Sequence, residues 1–479
     1  MRGSRSAIFL ALAPGLMFCT GHPAVGRPRS TFFTPEPTPG LNTSCTAIQP
    51  AKVTAKASKE IKLVRSNRRS FCLLLVFAFA ASASQLAVAQ AADFFMYFGT
   101  YTGFKFVSHS ATIGVGESHS KGIYVSRFHA ATGEVSEPEL AAEIANPSFL
   151  TVHPNHRFLY SVSEDPLSLG PPLDHASYVS AYAIDPASGK LRLLNTIPTG
   201  GTSTCYLSMD KTGRFVLLAN FGSGSISIVR VKDDGSLGEQ TAFVQHLGHG
   251  SPDVPVQSEP HPHTILVSPD NRYVIVSDLG VDKVFIYRFD ATTGSLSPLD
   301  PPFAAVEPGG GPRRFLFDPA GSFGYQLNEM GSTLITFAWD PAHGSLTRLQ
   351  EVSITPPGFR NAGAEMQISG NGKYLYASNR LSRFNDKDHS KIDRLPGTIS
   401  LFAIDPQKHT LSEIQQFPSG GVMPRSFGID PTGQYLFALN QVTNNVVEFK
   451  VDRATGVLSK TGREIKVDTP VCLQFVPVV

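Results

Sequence analysis

Four arginines, Arg313, Arg314, Arg380 and Arg425, together with His263, Glu329 and Glu365, are the side chains of this 479-residue chain whose types and spacing best suit chemistry. A guanidinium clamps a carboxylate or a phosphate through paired hydrogen bonds, so several of them near one axis describe a site for an anion. The same arginines also suit ion pairs with Glu164, Glu329 and Glu365, and the sequence holds both readings open. His263 suits a general base, or a donor to a carbonyl oxygen. His261-Pro262-His263 supplies two metal ligands without a third, and no CxxC or Cys/His zinc spacing occurs. Zinc, thiol chemistry and any resident cofactor are therefore not expected. His109, His119, His246, His249 and His389 fall in long connections and read as solvated; Trp339 and Met330 read as core.

These residues are far apart in the chain, and a repeat has to bring them together. Its mark is a turn of the type Asp-x-x-x-Gly-x-Leu, at Gly133, Gly189, Gly235, Gly294, Gly344, His409 and Gly456. Seven units spaced 46 to 65 residues apart fall in the range of propellers and solenoids. Within each unit the text is strand-like: a short apolar strand, a Pro/Asp/Gly turn, an aromatic residue opening a second strand (Phe158, Phe215, Tyr273, Phe323, Tyr374, Tyr435), and alternating runs such as Ile226-Ser-Ile-Val-Arg-Val231. Three strands precede each Gly turn and one follows it. The expectation is an all-β, seven-bladed β-propeller with four antiparallel strands per blade. Val471–Val476 reads as a first strand and Phe94–Phe98 as a second, so the two ends complete one blade and close the ring. A solenoid would need capping repeats, and none is visible.

In such a ring, equivalent positions meet. The starts of the innermost strands read Ser148, Thr204, His263, Arg313, Ala364, Arg425 and Val471, followed by Phe149, Cys205, Thr264, Arg314, Glu365, Ser426 and Cys472. The second strands return to the same end with Glu164, Asn220, Asp278, Asn328-Glu329, Asn379-Arg380 and Asn440. The Asn/Asp column suits turn capping as well as ligand binding. The long connections 101–121, 164–177, 247–261, 355–364 and 380–397 all belong to that face, where sites are usually built.

Residues 1–90 do not belong to the repeat. They hold 11 of the 41 Lys and Arg but only Glu36 and Glu60 among acids, which leaves a body with 30 basic and 37 acidic residues. That balance is a poor match for a nucleic acid. A basic stretch (Lys62 to Arg69), an apolar run (71–81) and the small residues to Ala91 have the order of a secretory signal spanning about 63–91. The expectations are a removed leader (1–90), a propeller domain (91–479), secretion or periplasmic export, no stable membrane span after processing, and a monomer. Met1 to Thr20 is a weaker signal-like segment, which suggests translation from a non-AUG codon near Leu63 or Val64.

The motifs carry a resemblance. Pro262-His263 before Ser268-Pro-Asp270, Ser277-Asp-Leu-Gly280 with Asp282, Gly311-Pro-Arg313-Arg314-Phe315 leading to Leu327-Asn-Glu329, Ala364-Glu365-Met-Gln-Ile368 leading to Tyr376-Ala-Ser-Asn-Arg380, and Pro424-Arg425-Ser-Phe427 occur in the order seen in the seven-bladed propeller lactonases, 6-phosphogluconolactonase and carboxy-muconate cyclase among them. The resemblance covers about 94–479 and implies hydrolysis of a sugar lactone, phosphorylated or not. It implies Glu365 or His263 as general base, Arg313 and Arg425 at the oxyanion and the anion, Arg380 with Arg314 as a phosphate or carboxylate clamp, and Glu329, Asn328 and Asn379 as further substrate-binding residues. Arg314 stands where the family commonly has His, and a charged insertion from Leu381 to Gly397 follows the Asn-Arg pair. The family's best-known activity is cytoplasmic, against the export signal. A secreted binding propeller, or a calcium-assisted lactonase using Glu164, Asn220, Asp278 and Glu329, are the alternatives.

Overall fold

The computed structural model describes residues 93–103, 118–164, 177–355, 361–385 and 388–478. The leader with its apolar run 71–81, and residues 104–117, 165–176 and 356–360 of the long connections, lie outside the described residues.

Seven antiparallel sheets form the blades: in six the strands run in sequence order from the axis outward, in the seventh the last strand of the chain lies innermost, and the fifth and seventh sheets each carry one strand beyond the usual four. In chain order, the innermost strands are Leu150–Val152, Thr204–Met209, Pro262–Val267, Pro312–Phe317, Asn361–Ile368, Pro424–Ile429 and Pro470–Pro477. Each touches the next, and the last touches the first, so the sheets form a closed ring of seven blades. The seventh blade is the expected closure: Pro470–Pro477 pairs with Asp93–Thr100 in the register Phe94↔Pro477 to Gly99↔Cys472.

Burial explains the strand composition. Second strands such as Phe215–Asn220 and Tyr273–Asp278 are buried throughout, packed between neighbouring blades on both faces, so they read as continuous apolar runs. Outermost strands such as Leu191–Pro198 alternate and face water. The cores lie between blades: Tyr273 and Ile275 of the third pack on Phe315, Phe337 and Trp339 of the fourth.

The two repeat marks prove to be one contact. The turn glycine adopts a left-handed backbone (φ 84° at Gly235, 69° at Gly344) and lies against the aromatic that opens the second strand of the preceding blade. A Cβ at Gly235 would come within 2.4 Å of the Phe158 ring, and one at Gly344 within 2.3 Å of Tyr273. A side chain there would be both strained and obstructed. The one exception, His409, stacks on Phe323 at 3.7 Å.

The insertion is not an irregular loop. The second strand of the fifth blade runs on as Tyr374–Asn385 and turns back through Asp388–Arg394, in the register Ser382↔Arg394 to Asn385↔Asp388. A two-stranded arm thus replaces the long connection expected over 380–397.

Candidate active site

A recurrent backbone irregularity presents the site residues. In the third blade Pro262 pairs with Asp278 and Thr264 with Ser277, leaving His263 as the extra residue of a bulge. The same bulge sits at Arg313 in the fourth blade and at Arg425 in the sixth. A bulge turns one side chain out of the alternation of its strand, and here the residue it re-aims is His or Arg.

The second strands deliver the partners. Tyr101, Glu164, Phe221, Leu279, Glu329 and Gln441 each donate their backbone N–H to a carbonyl of the segment leading into the neighbouring innermost strand, with Glu329 on Gly311 at 2.7 Å and Gln441 on Met423 at 2.9 Å. They are therefore structurally equivalent and lie one position beyond the Asn/Asp column. The sequence reading placed Glu164 in the Asn column and missed Tyr101 and Gln441. Their signal was available, since Tyr101 directly follows the strand Asp93–Thr100 that closes the ring.

At the centre, Glu329 binds two guanidiniums, Arg313 Nη1 at 2.7 Å and Arg380 Nη2 at 2.9 Å. Arg313 Nη1 also meets His263 Nε2, while its Nε donates to the Ala364 carbonyl at 2.9 Å. Arg425 lies 5.3 Å over the Tyr101 ring, whose hydroxyl donates to Glu164 at 2.8 Å. His263, Arg313, Arg380, Arg425 and Glu164 are all buried.

The charges explain the protonation states. Burial would raise the Glu329 carboxyl, but Arg380, Arg313 and Arg425 outweigh it and hold the pKa at about 2. Burial and mutual repulsion draw Arg380 down to about 9 and Arg313 below its usual value, in spite of Glu329. The partners thus shift in opposite senses because one carboxylate serves two arginines that also repel each other. His263 is pushed well below 6.5 by burial and by the four surrounding arginines. It is neutral at pH 7, and since a guanidinium only donates, Nε2 is its acceptor and Nδ1 carries the proton. Among the described residues that buried Nδ1 has no partner.

Arg314 and Glu365 occupy the next position along their strands and bind each other instead of joining this cluster. Arg314 Nε and Nη2 reach Glu365 Oε1 at 2.8 and 2.7 Å. The guanidinium lies 4.5 Å from the centre of the Tyr206 ring and 5.2 Å from that of Phe149, and among the described residues its Nη1 has no hydrogen-bond partner. The pair therefore brings together residues of the first, second, fourth and fifth blades. Arg313, Arg314 and Arg380 make the ion pairs with Glu329 and Glu365 that the sequence allowed, and among the described residues the four guanidiniums of this region, Arg425 included, are gathered with three carboxylates, Glu164, Glu329 and Glu365.

Asn328 and Asn379 are buried; the Asn328 amide nitrogen bonds to Thr333 of its own blade, and that of Asn379 bonds to Thr398 and Ser400 of its own blade and to the Ile354 carbonyl at the end of the fourth. Asn220 does the same with Ser225 and Ser227. Among the described residues, no group of three His, Cys, Asp or Glu is gathered for a metal. His246, expected in water, is buried: its Nδ1 meets Asp278 at 2.6 Å and its Nε2 meets the Tyr287 hydroxyl at 3.0 Å. His119 and His249 are exposed as expected. Trp339 is core, while Met330 is only partly buried.

Residues 95–475 match the family model described as lactonase, 7-bladed beta-propeller. The chain is 31% identical to a 6-phosphogluconolactonase of Bacillus subtilis over 79% of its own length and 97% of that relative. It is 32% identical to one from Formosa agariphila, covering 74% of this chain and 95% of the other. The solved periplasmic gluconolactonase of Pseudomonas aeruginosa superposes with a TM-score of 0.70 at 30% identity, over 81% of this chain and all of that one.

Proposed function

Because the chain belongs to the seven-bladed β-propeller lactonase family, we propose that it opens the ring ester of a sugar lactone at the mouth of the propeller axis. The observation that carries the site assignment is the crowding of Arg313, Arg380 and Arg425 on Glu329 beside a neutral His263. Hydrolysis turns a neutral ester into an oxyanion and then a carboxylate, and preorganised positive charge favours both over the lactone. Arg313, Arg380 and Arg425 bind the carbonyl oxygen and any acidic substituent, and His263 donates through Nδ1. Glu329, fixed as a carboxylate, holds the guanidiniums, orients the attacking water and accepts its proton, which passes to the ring oxygen as the ester C–O bond breaks. Its low pKa makes it a weak base, which suffices for a δ-lactone because such an ester opens in water even unaided. Arg314 and Glu365 form the floor beneath, and Asn328 and Asn379 hold the strand ends. Glu365 as general base is the competing assignment, and it requires release from Arg314.

An excess of guanidinium groups favours a lactone bearing phosphate or carboxylate, whereas an export leader favours a non-phosphorylated one. We read residues 1–90 as that leader and 91–479 as the mature, periplasmic or secreted enzyme; amino-terminal sequencing of the natural product should begin near Ala91. Among the described residues no helix is long and apolar enough to cross a membrane. The test is turnover of 6-phosphogluconolactone and of gluconolactone, corrected for spontaneous opening, by the protein and by Arg313→Ala. The expected loss in kcat/KM is about 10²- to 10³-fold. Unchanged turnover in Arg313→Ala would overturn the site, and no turnover of any lactone would favour a binding propeller.

A further inference from the structure

Asp278 is the one acidic member of a column that is otherwise Asn in the second, fourth, fifth and sixth blades. It is fully buried and holds three groups. One carboxylate oxygen accepts the His261 N–H at 2.7 Å and the Gly280 N–H at 3.0 Å, and the other meets His246 Nδ1. Among the described residues, no other member of the column accepts a backbone N–H from the segment leading into its neighbouring innermost strand in this way.

The backbone explains why this blade differs. The residue just before the strand or its bulge is left-handed in four blades, at Ser203, Gly311, Met423 and Thr469, and in the first blade Asn146, four residues ahead of Leu150, is left-handed too, all with φ between 45° and 64°. In the third blade that residue is His261, which is not left-handed, so the chain enters the bulge by another path. The segment is held from below by Gly280, where a Cβ would come within 1.9 Å of the Glu259 carbonyl and 2.7 Å of the His261 nitrogen. It is held from the side by the His261 ring, which stacks on Phe221 at 4.4 Å with Nδ1 on the Phe221 carbonyl at 2.7 Å. The edge of that same Phe221 ring meets His263. Two residues past His261, across the rigid Pro262, lies the bulged His263.

We propose that Asp278 is a positioning residue for His263: its carboxylate fixes the entry into the bulge, and so aims the imidazole that faces Arg313. His246 supplies the third bond that keeps this carboxylate oriented. The role rests on the assignment of His263 to lactone opening, and the test separates the two. The histidine ring signals of ¹⁵N-labelled full-length protein are recorded for the wild type, Asp278→Asn, Asp278→Ala and His263→Gln, the last identifying the His263 signals. Turnover of gluconolactone is measured in parallel, with a double-mutant cycle of Asp278→Ala and His263→Ala.

Expected are a displaced His263 signal in Asp278→Ala with His153 and His156 unmoved, a fall in kcat of about 10-fold or more with KM within about 3-fold, and less than about 2-fold further loss in the His263→Ala background. Asp278→Asn keeps an acceptor for His261 and should stay within about 3-fold of the wild type; if the Ala variant does not fold, Asp278→Ser, too short to span both N–H groups, takes its place. An unmoved His263 signal, or losses that simply multiply, would overturn the proposal. A displaced signal with full turnover would uphold the positioning and overturn the part given to His263 in catalysis.

Discussion

Replacing Glu329 by Gln removes the single carboxylate on which Arg313 and Arg380 converge. In the folded protein its carboxyl is held at a pKa of about 2 against 4.5, with the side chain 16% exposed. That difference corresponds to about 3 kcal/mol in favour of the carboxylate. Since the folded value lies below the unfolded one, the unfolded chain takes up the proton first as the pH falls. The contribution is therefore complete above the unfolded pKa and is lost on the way down to the folded one, with about 2 kcal/mol gone by pH 3. The Gln variant lacks this slope. Urea unfolding of both proteins from pH 7 to pH 3 at constant ionic strength should show the wild type more stable by about 3–5 kcal/mol at neutral pH, the cost of stranding buried arginines. The gap should then narrow by about 2 kcal/mol at pH 3. A gap that stays constant over the whole range would refute the electrostatic account of this cluster, whatever the variant does to turnover.

Two further outcomes follow from the same geometry. Glu365→Gln strands the Arg314 guanidinium between Phe149 and Tyr206 and should cost about 3–5 kcal/mol in urea unfolding, most of it recovered by Arg314→Met with Glu365→Met; recovery of turnover as well would exclude Glu365 as the base. The His263 imidazole, held well below 6.5, is neutral through the physiological range, so kcat/KM should show no inflection near pH 6.5. Its depressed folded pKa also means that stability from this group is lost as the pH falls through the unfolded value near 6.5.

The ring was legible in the sequence because a single contact wrote two columns into it. Gly235 on Phe158 and Gly344 on Tyr273 each demand one residue without a side chain and one aromatic ring, so the text repeats wherever the blades meet. His263, Arg313 and Arg425 were legible for a related reason: counting from the turn that ends each innermost strand reaches the bulge at a fixed distance. What could not be counted is which partner a charged side chain selects. Arg313 and Arg314 are neighbours in sequence, yet the bulge sends one to Glu329 and the other to Glu365. His246 looked solvated because its partner Asp278 is 32 residues away on another blade. The arm Asp388–Arg394 was hidden by a composition, rich in charge, that suits an irregular loop as well as a surface strand.

The arrangement makes sense only if stability was not what selected it. A carboxylate bound to one guanidinium is the economical way to bury either group, and Arg314 with Glu365 follows it, Arg314 being held above its usual pKa by its partner despite burial. One layer up, Arg313 and Arg380 share Glu329 and are both drawn below their usual value, so adding the second charge opposes the first. A folded protein tolerates such crowding where the surrounding sheets over-determine it, and here each contributing strand is locked into the ring on both sides. An anion entering the mouth would relieve the repulsion, and its binding would draw on electrostatic work already done during folding. The oxyanion of an opening lactone carries more negative charge than the ester it comes from. In the proposed mechanism the crowding would therefore lower the barrier more than it tightens the binding of substrate, which is the condition for a rate enhancement.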